Sequence, residues 1–187
     1  MTKSVGVEAW KEFYIIAVFK RISASIVVSG LIIAPINTFG TSQAFAATGS
    51  HGEILKVSKT TGVKSGDLLI VSGQHYDETI GIYVAFCKVV PAGKLPTPCG
   101  GGADKSGGTG ASEWISSNPP TYGIGLAKPY LPGGRFKVSV KVSPMIAVPN
   151  GKAIDCRKTA CAIYTRADHT RGDDRSYDLT VPLTFKK

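Results

Sequence analysis

Four cysteines are the residues whose chemistry constrains this chain most. Cys87 and Cys99 bracket a Pro/Gly-rich segment, and Cys156 and Cys161 enclose only Arg157-Lys158-Thr159-Ala160. An even cysteine count behind an export signal is the pattern of disulfides, since thiols oxidise once outside the cell. Three pairings are open, and the local one, 87 with 99 and 156 with 161, is the cheapest because each loop closes as a turn between strands. Metal binding is a poor alternative, because no Cys-x-x-Cys pair exists and only His51, His75 and His169 could add nitrogen ligands.

Other chemistry is sparse. Oxidised cysteines cannot act as thiolate nucleophiles, no serine sits in a Gly-x-Ser-x-Gly elbow, and the three scattered histidines do not suggest a triad. Asp77-Glu78 falls on an expected loop and reads as solvated turn chemistry. No Gly-Lys-Ser/Thr follows the glycine clusters, so they are not phosphate loops. The expected protein is therefore not an enzyme and carries no resident cofactor or metal.

The segment 165–175 is dense in charge, and Asp168 beside Arg166 and Asp174 beside Arg175 read as solvated ion pairs. Asp168, Asp173 and Asp174 lack the spacing of a calcium loop. Arg171-Gly172-Asp173 spells an integrin-type tripeptide too short to carry weight, and a single loop histidine such as His169 is ordinarily not a ligand for a metal or haem iron.

The elements that must position these residues are strands. The 187 residues suffice for one domain, and 22 Gly with 11 Pro argue against a helical bundle. Residues 1–46 read as a secretory signal peptide: Lys20 and Arg21 precede an uncharged apolar run over 22–36, and Ala44-Phe45-Ala46 is a small-x-small cleavage site before Ala47. The run is shorter than the ~20 residues of a membrane span and is broken by serines and Pro35. The mature domain is 47–187.

Period-2 alternation then marks half-buried strands over 53–59, 67–73, 81–90, 135–142, 161–166 and 177–185, with a short seventh at 114–117. Phe136, Val138, Val140 and Val142 point one way and Arg135, Lys137, Ser139 and Lys141 the other. Pro182 predicts a bulge or an edge in the last strand. No window sustains a 3.6 period, so the fold class is all-β, a seven-stranded antiparallel β-sandwich, which the resemblance below makes immunoglobulin-like.

The run Val57-Ser58-Lys59-Thr60-Thr61-Gly62-Val63-Lys64-Ser65-Gly66, then Val71-Ser72-Gly73, Tyr83 and Cys87, resembles the first three strands of the neocarzinostatin-type apoproteins. These are secreted actinobacterial immunoglobulin-like proteins that carry enediyne chromophores. Asp155-Cys156-Arg157-Lys158-Thr159-Ala160-Cys161 is similar to that family's second disulfide loop, and the segment 181–185 to its closing strand. The resemblance implies an extracellular, monomeric, non-enzymatic carrier in which an apolar or aromatic small molecule lies in a cleft braced by the two disulfides. In such a carrier the antibacterial, DNA-directed chemistry resides in the cargo.

By this resemblance Val89 stands where the carriers have an aromatic cleft residue, and Tyr164 and Arg166 stand where they expose small or polar ones. An insertion after Cys99 departs from the family: glycine-rich stretches, then Trp114, Asn118-Pro119-Pro120, Tyr122 and Tyr130. Trp114, Tyr122 and Tyr130 either lie over the cleft mouth as ligand contacts or serve the core, with Trp114 capping it. The candidate ligand contacts are Val89, Trp114, Tyr122, Tyr164 and Arg166.

The formal net charge is +9; Lys3, Lys11, Lys20 and Arg21 against Glu8 and Glu12 leave a surplus of two in the first 46 residues, so +7 remains for the rest. That charge is dispersed over several strands without an aromatic-basic stripe, which argues against sequence-specific nucleic-acid binding. It suits attraction to an anionic envelope polymer or an acidic protein. A cell-envelope interaction domain without cargo is the alternative function.

Overall fold

The computed structural model describes residues 45–101 and 108–187. The expected signal peptide lies outside the described residues except for Phe45 and Ala46, as does the centre of the glycine-rich stretch. The strands in chain order are β1 (Phe45–Thr48), β2 (Ile54–Val57), β3 (Leu68–Gln74), β4 (Ile82–Lys88) and β5 (Ser112–Ile115), then β6 (Phe136–Lys141), β7 (Met145–Ile146), β8 (Ile154–Asp155), β9 (Cys161–Ala167) and β10 (Leu179–Leu183).

One sheet runs β1-β2-β3-β6 and the other β10-β9-β4-β5, with β7 and β8 as a separate two-stranded ribbon. Every named strand pair is antiparallel.

Alternation builds the sandwich. Along β6, Phe136, Val138 and Val140 are buried while Lys137, Ser139 and Lys141 are exposed, because successive side chains of a pleated strand leave on opposite faces. The inward faces of both sheets merge into one core: Leu55, Val57, Leu69 and Val71 from the first meet Ile82, Val84, Phe86, Ile163 and Val181 from the second. Each such side chain contributes about 1.5–3 kcal/mol when fully buried. Gly73 lets the Phe136 ring lie flat against β3, since a Cβ there would sit 2.0 Å from Phe136 Cε1.

The two-sheet, all-β architecture follows the sequence expectation, but the strand count does not. Ten strands occur among the described residues rather than seven. The ribbon strands are two residues each, too short to show alternation. Strand β1 spans the expected cleavage bond, pairing Phe45 with Val57 and Ala46 with Lys56 before Ala47 meets Leu55. Pro182 sits exposed on β10, an edge strand, where a missing N–H removes no ladder bond.

Both local disulfides form: Cys87–Cys99 ties the end of β4 to the chain after its loop, and Cys156–Cys161 closes the turn from β8 into β9.

Candidate functional site

The outward face of the β10-β9-β4-β5 sheet carries the candidate residues. Register sets them in rows across the strands: Trp114, Tyr83 and Arg166 in one, Ser112, Ala85, Tyr164 and Thr180 in the next, and Cys87, Ala162 and Pro182 in the third. Antiparallel pairing brings such residues within about 4.5–5.5 Å at Cβ, so each row is a set of touching neighbours.

Cys87 and Ala162 of the third row and the middle of the second are closed over. Ala85, Cys87, Ala162 and Tyr164 form a small second apolar cluster with Val89 and Cys99 packed against it. The chain leaving β4 folds back across β9, with Val89 N donating to Ala160 O at 2.9 Å and Val90 N to the Tyr164 hydroxyl at 3.3 Å. Val89 and Tyr164 are thus brought together, and Tyr164 is only 4% exposed.

At the other end the first row is the base of a polar-aromatic cluster. The indole of Trp114 donates to Asp168 Oδ2 at 2.9 Å and packs at 6.4 Å, centroid to centroid, against Tyr122. The His169 imidazole is held between two phenols, Tyr83 Oη on Nδ1 and Tyr122 Oη on Nε2. An imidazole nitrogen that carries a proton donates to its tyrosine, and one that does not accepts from it.

Gly123, in the 3-10 turn Thr121–Gly123, permits the approach, since a Cβ there would lie 2.4 Å from the Trp114 ring. Asp168 caps the 3-10 turn His169–Arg171, accepting from Thr170 N at 2.8 Å and Thr170 Oγ1 at 2.6 Å. Burial, and next the Asp168 charge, push the Tyr83 phenol above its ordinary range.

Arg166 lies between the two ends. Its guanidinium carbon is 5.1 Å from the centroid of the Tyr83 ring, a cation–π contact. Burial, and then the neighbouring Arg175, lower its pKa. On the far side stands Asp178, whose Oδ2 accepts from Arg175 at 3.2 Å. Burial raises the Asp178 carboxyl to about 6, against the opposing pull of Arg175 and Arg166. Asp178 Oδ1 and Arg166 Nε are both buried without a hydrogen-bond partner.

Next to them a cavity of about 220 Å³ opens between residues 90–94 and the outward face of β9 and β10, bounded also by Tyr164, Arg175, Asp178 and Thr180.

The structure therefore joins Val89 with Tyr164, and Trp114 with Tyr122, while Arg166 packs on Tyr83 in the Trp114 row. Of the five candidates Tyr164 lines the cavity. Both expected ion pairs of the segment 165–175 are corrected. Asp168 and Arg166 are not a solvated pair: Asp168 is 2% exposed and its oxygens are taken by Trp114 and Thr170. Asp174 pairs with Arg171 at 3.0 Å, leaving Arg175 for Asp178, because backbone turns closed by Asp174 N on Arg171 O and Asp178 N on Arg175 O bring residues three apart together.

Tyr130 belongs to the core rather than a cleft mouth, buried with its hydroxyl donating to Ile80 O. Nor does Trp114 cap that core, since it stands on the opposite face of the sheet from Ile115. Glu78 does more than solvate a turn, for its Oε1 accepts from both Gly133 N and Gly134 N at 2.9 Å.

Sequence reasoning missed Tyr83, Lys94, Asp178 and Thr180. Tyr83 could have been found, since it alternates with the core residues Ile82 and Val84 and so must face outward. Asp178 carried no local signal.

Fold and site define an all-β, two-sheet sandwich with a disulfide-braced outer face. No protein-family model and no curated protein sequence matches the chain. Among solved structures it is similar to macromomycin, at 16% identity and a TM-score of 0.45 over 72% of this chain and 99% of that one. It is also similar to apokedarcidin in its solution conformation, at 17% identity and a TM-score of 0.42 over 76% of this chain and 97% of that one.

Proposed function

We propose that this protein is an exported, non-catalytic binding module that shelters a small molecule on the outer face of its β10-β9-β4-β5 sheet. The observation that carries this is the cavity of about 220 Å³ beneath residues 90–94, walled on its other side by Tyr164, Arg175, Asp178 and Thr180. Drug-sized ligands occupy pockets of about 300–1,000 Å³, so the cargo is smaller, on the scale of one ring. A wide aromatic cargo of the kind the family resemblance implied would have to displace Tyr164, which walls the cavity. Native mass spectrometry of the oxidised protein from its own culture medium tests the reading: a removable non-covalent adduct supports it, and the bare mass overturns it.

A second reading has its own observation. The connection after β5 exposes Tyr122, Ile124, Leu126 and Leu131 at 64%, 72%, 46% and 52%. Its backbone is internally hydrogen-bonded, with Gly123 N on Pro120 O and Leu126 N on Gly123 O. An ordered apolar loop on a basic protein suits docking to an envelope surface. If docking is the function, Ile124→Ser with Leu131→Ser releases the protein from washed cells while its fold is kept.

A further inference from the structure

Lysines that lie scattered along the chain are gathered by strand pairing onto the outward face of the β1-β2-β3-β6 sheet. Register places Lys56, Ser72 and Lys137 in one row across β2, β3 and β6, and sets Lys141 beside Leu68 at one end of the same face. Strands lie about 4.8 Å apart and rise about 3.4 Å per residue, so the Lys56 and Lys137 backbones stand about 10 Å apart and those of Lys137 and Lys141 about 14 Å. All three lysines are exposed. Among the described residues none of the three pairs with a carboxylate, and no residue of the four strands is acidic.

Between these charges two aliphatic side chains stand in solvent, Leu68 at 65% and Ile70 at 38% exposure. Their outward direction is fixed, because Leu69 and Val71 fill the core and a one-residue slip would exchange the two faces. The turn from β2 to β3 adds charge at the Leu68 end. There Asp67 answers Lys59 at 2.8 Å, while Lys186 N donates to Val63 O at 2.8 Å and so sets a further exposed lysine beside Lys64.

We infer that this face docks on a bilayer of anionic phospholipid, its lysines on the headgroup phosphates and Leu68 with Ile70 reaching the acyl boundary. Charge alone suits any polyanion. The aliphatics in the same plane favour lipid, since an apolar group gains by leaving water only where its new surroundings are apolar. Each basic residue near an anionic leaflet adds about fivefold in affinity, and the attraction fades within a Debye length of about 8 Å at physiological ionic strength. This surface is separate from the cavity of the small-molecule reading and from the apolar loop after β5.

The test is co-sedimentation of the oxidised protein from its own culture medium with vesicles of phosphatidylglycerol and phosphatidylcholine, beside vesicles of phosphatidylcholine alone and a titration with soluble polyphosphate. Saturable binding to the anionic vesicles is expected, at least tenfold tighter than to the neutral ones and weakened by added salt. Lys56→Gln, Lys137→Gln and Lys141→Gln combined should weaken it at least tenfold. Leu68→Ser with Ile70→Ser should weaken vesicle binding at least threefold while leaving polyphosphate binding as it was. An unchanged unfolding midpoint shows that the fold is kept. Should the double variant lower it, Leu68→Thr retains a strand-favouring side chain and takes its place.

Absence of binding to the anionic vesicles overturns the inference, as does equal binding to neutral ones or binding unchanged by the three lysine substitutions. Vesicle binding unchanged by loss of the aliphatics reassigns the face to soluble polyanions and overturns the lipid partner. Vesicle binding lost in Ile124→Ser with Leu131→Ser, but kept in the lysine variant, moves docking to the loop after β5 and overturns it too. The native mass decides the small-molecule reading whatever the vesicles show.

Discussion

Trp114 donates its indole N–H to the buried carboxylate of Asp168 across 2.9 Å, joining β5 to the connection between β9 and β10 over 54 residues of sequence. Because Asp168 also holds Thr170, this one carboxylate fixes where His169 stands and through it Tyr122 and Tyr83. The bond thus organises the aromatic end of the sheet face.

Trp114→Phe keeps the ring area but leaves Asp168 Oδ2 without its indole donor. A buried acceptor deprived of its partner costs about 1–3 kcal/mol, so urea denaturation should show a lowered midpoint. Tyr122→Phe, at a side chain largely in solvent, should cost less than about 1 kcal/mol. Equal effects would place the organising role elsewhere in the cluster.

Two glycines separate backbone conformation from close packing. Gly125 has φ +84° with open space around it, while Gly134 has φ +60° and a Cβ there would lie 1.9 Å from Tyr76 O. Gly125→Ala should cost about 1–2 kcal/mol for the left-handed conformation alone. Gly134→Ala adds a collision with backbone and should be clearly worse in thermal unfolding.

Both disulfides should stabilise by restricting the unfolded chain, the longer loop more. The separations are 12 for Cys87–Cys99 and 5 for Cys156–Cys161. On the chain-entropy account, removing the first pair should cost about 0.7–0.8 kcal/mol more than removing the second. Double alanine variants compared by guanidinium denaturation check the order.

Asp178 gives a pH signature. Its folded pKa, about 6, lies above the ordinary carboxylate value of 3.8, so between the two the folded state holds more protons than the unfolded one. Stability from this group therefore falls as pH rises through that window and recovers as pH falls. Arg175 and Arg166 oppose the shift and Asp174 adds to it, while burial dominates. Asp178→Asn should remove this contribution, and unfolding midpoints of variant and parent between pH 4 and 7 should converge toward the acid end. A parallel pH course would show that Asp178 does not titrate there.

Strand identity was legible along the chain because it is a local property: the side chain at every second position of 135–142 must leave on the same face whatever the rest of the molecule does. Local disulfide pairing was legible for the same reason, since each bridge closes a short loop. The ribbon of β7 and β8 was not, because two residues show no period, and Asp168 was misread because its neighbours in sequence are charged while its neighbours in space are an indole and a threonine.

The sequence by itself determined that this chain forms antiparallel strands with alternating faces and two local bridges, for those depend on residue type and short separations. Only the tertiary structure decided that Tyr83 stands beside Arg166 and Trp114, that His169 is gripped by two tyrosines, and that Asp178 borders a cavity. Register between strands far apart in sequence is set by the packing of the whole core. A carboxylate's environment is likewise the sum of burial and charges brought from other strands.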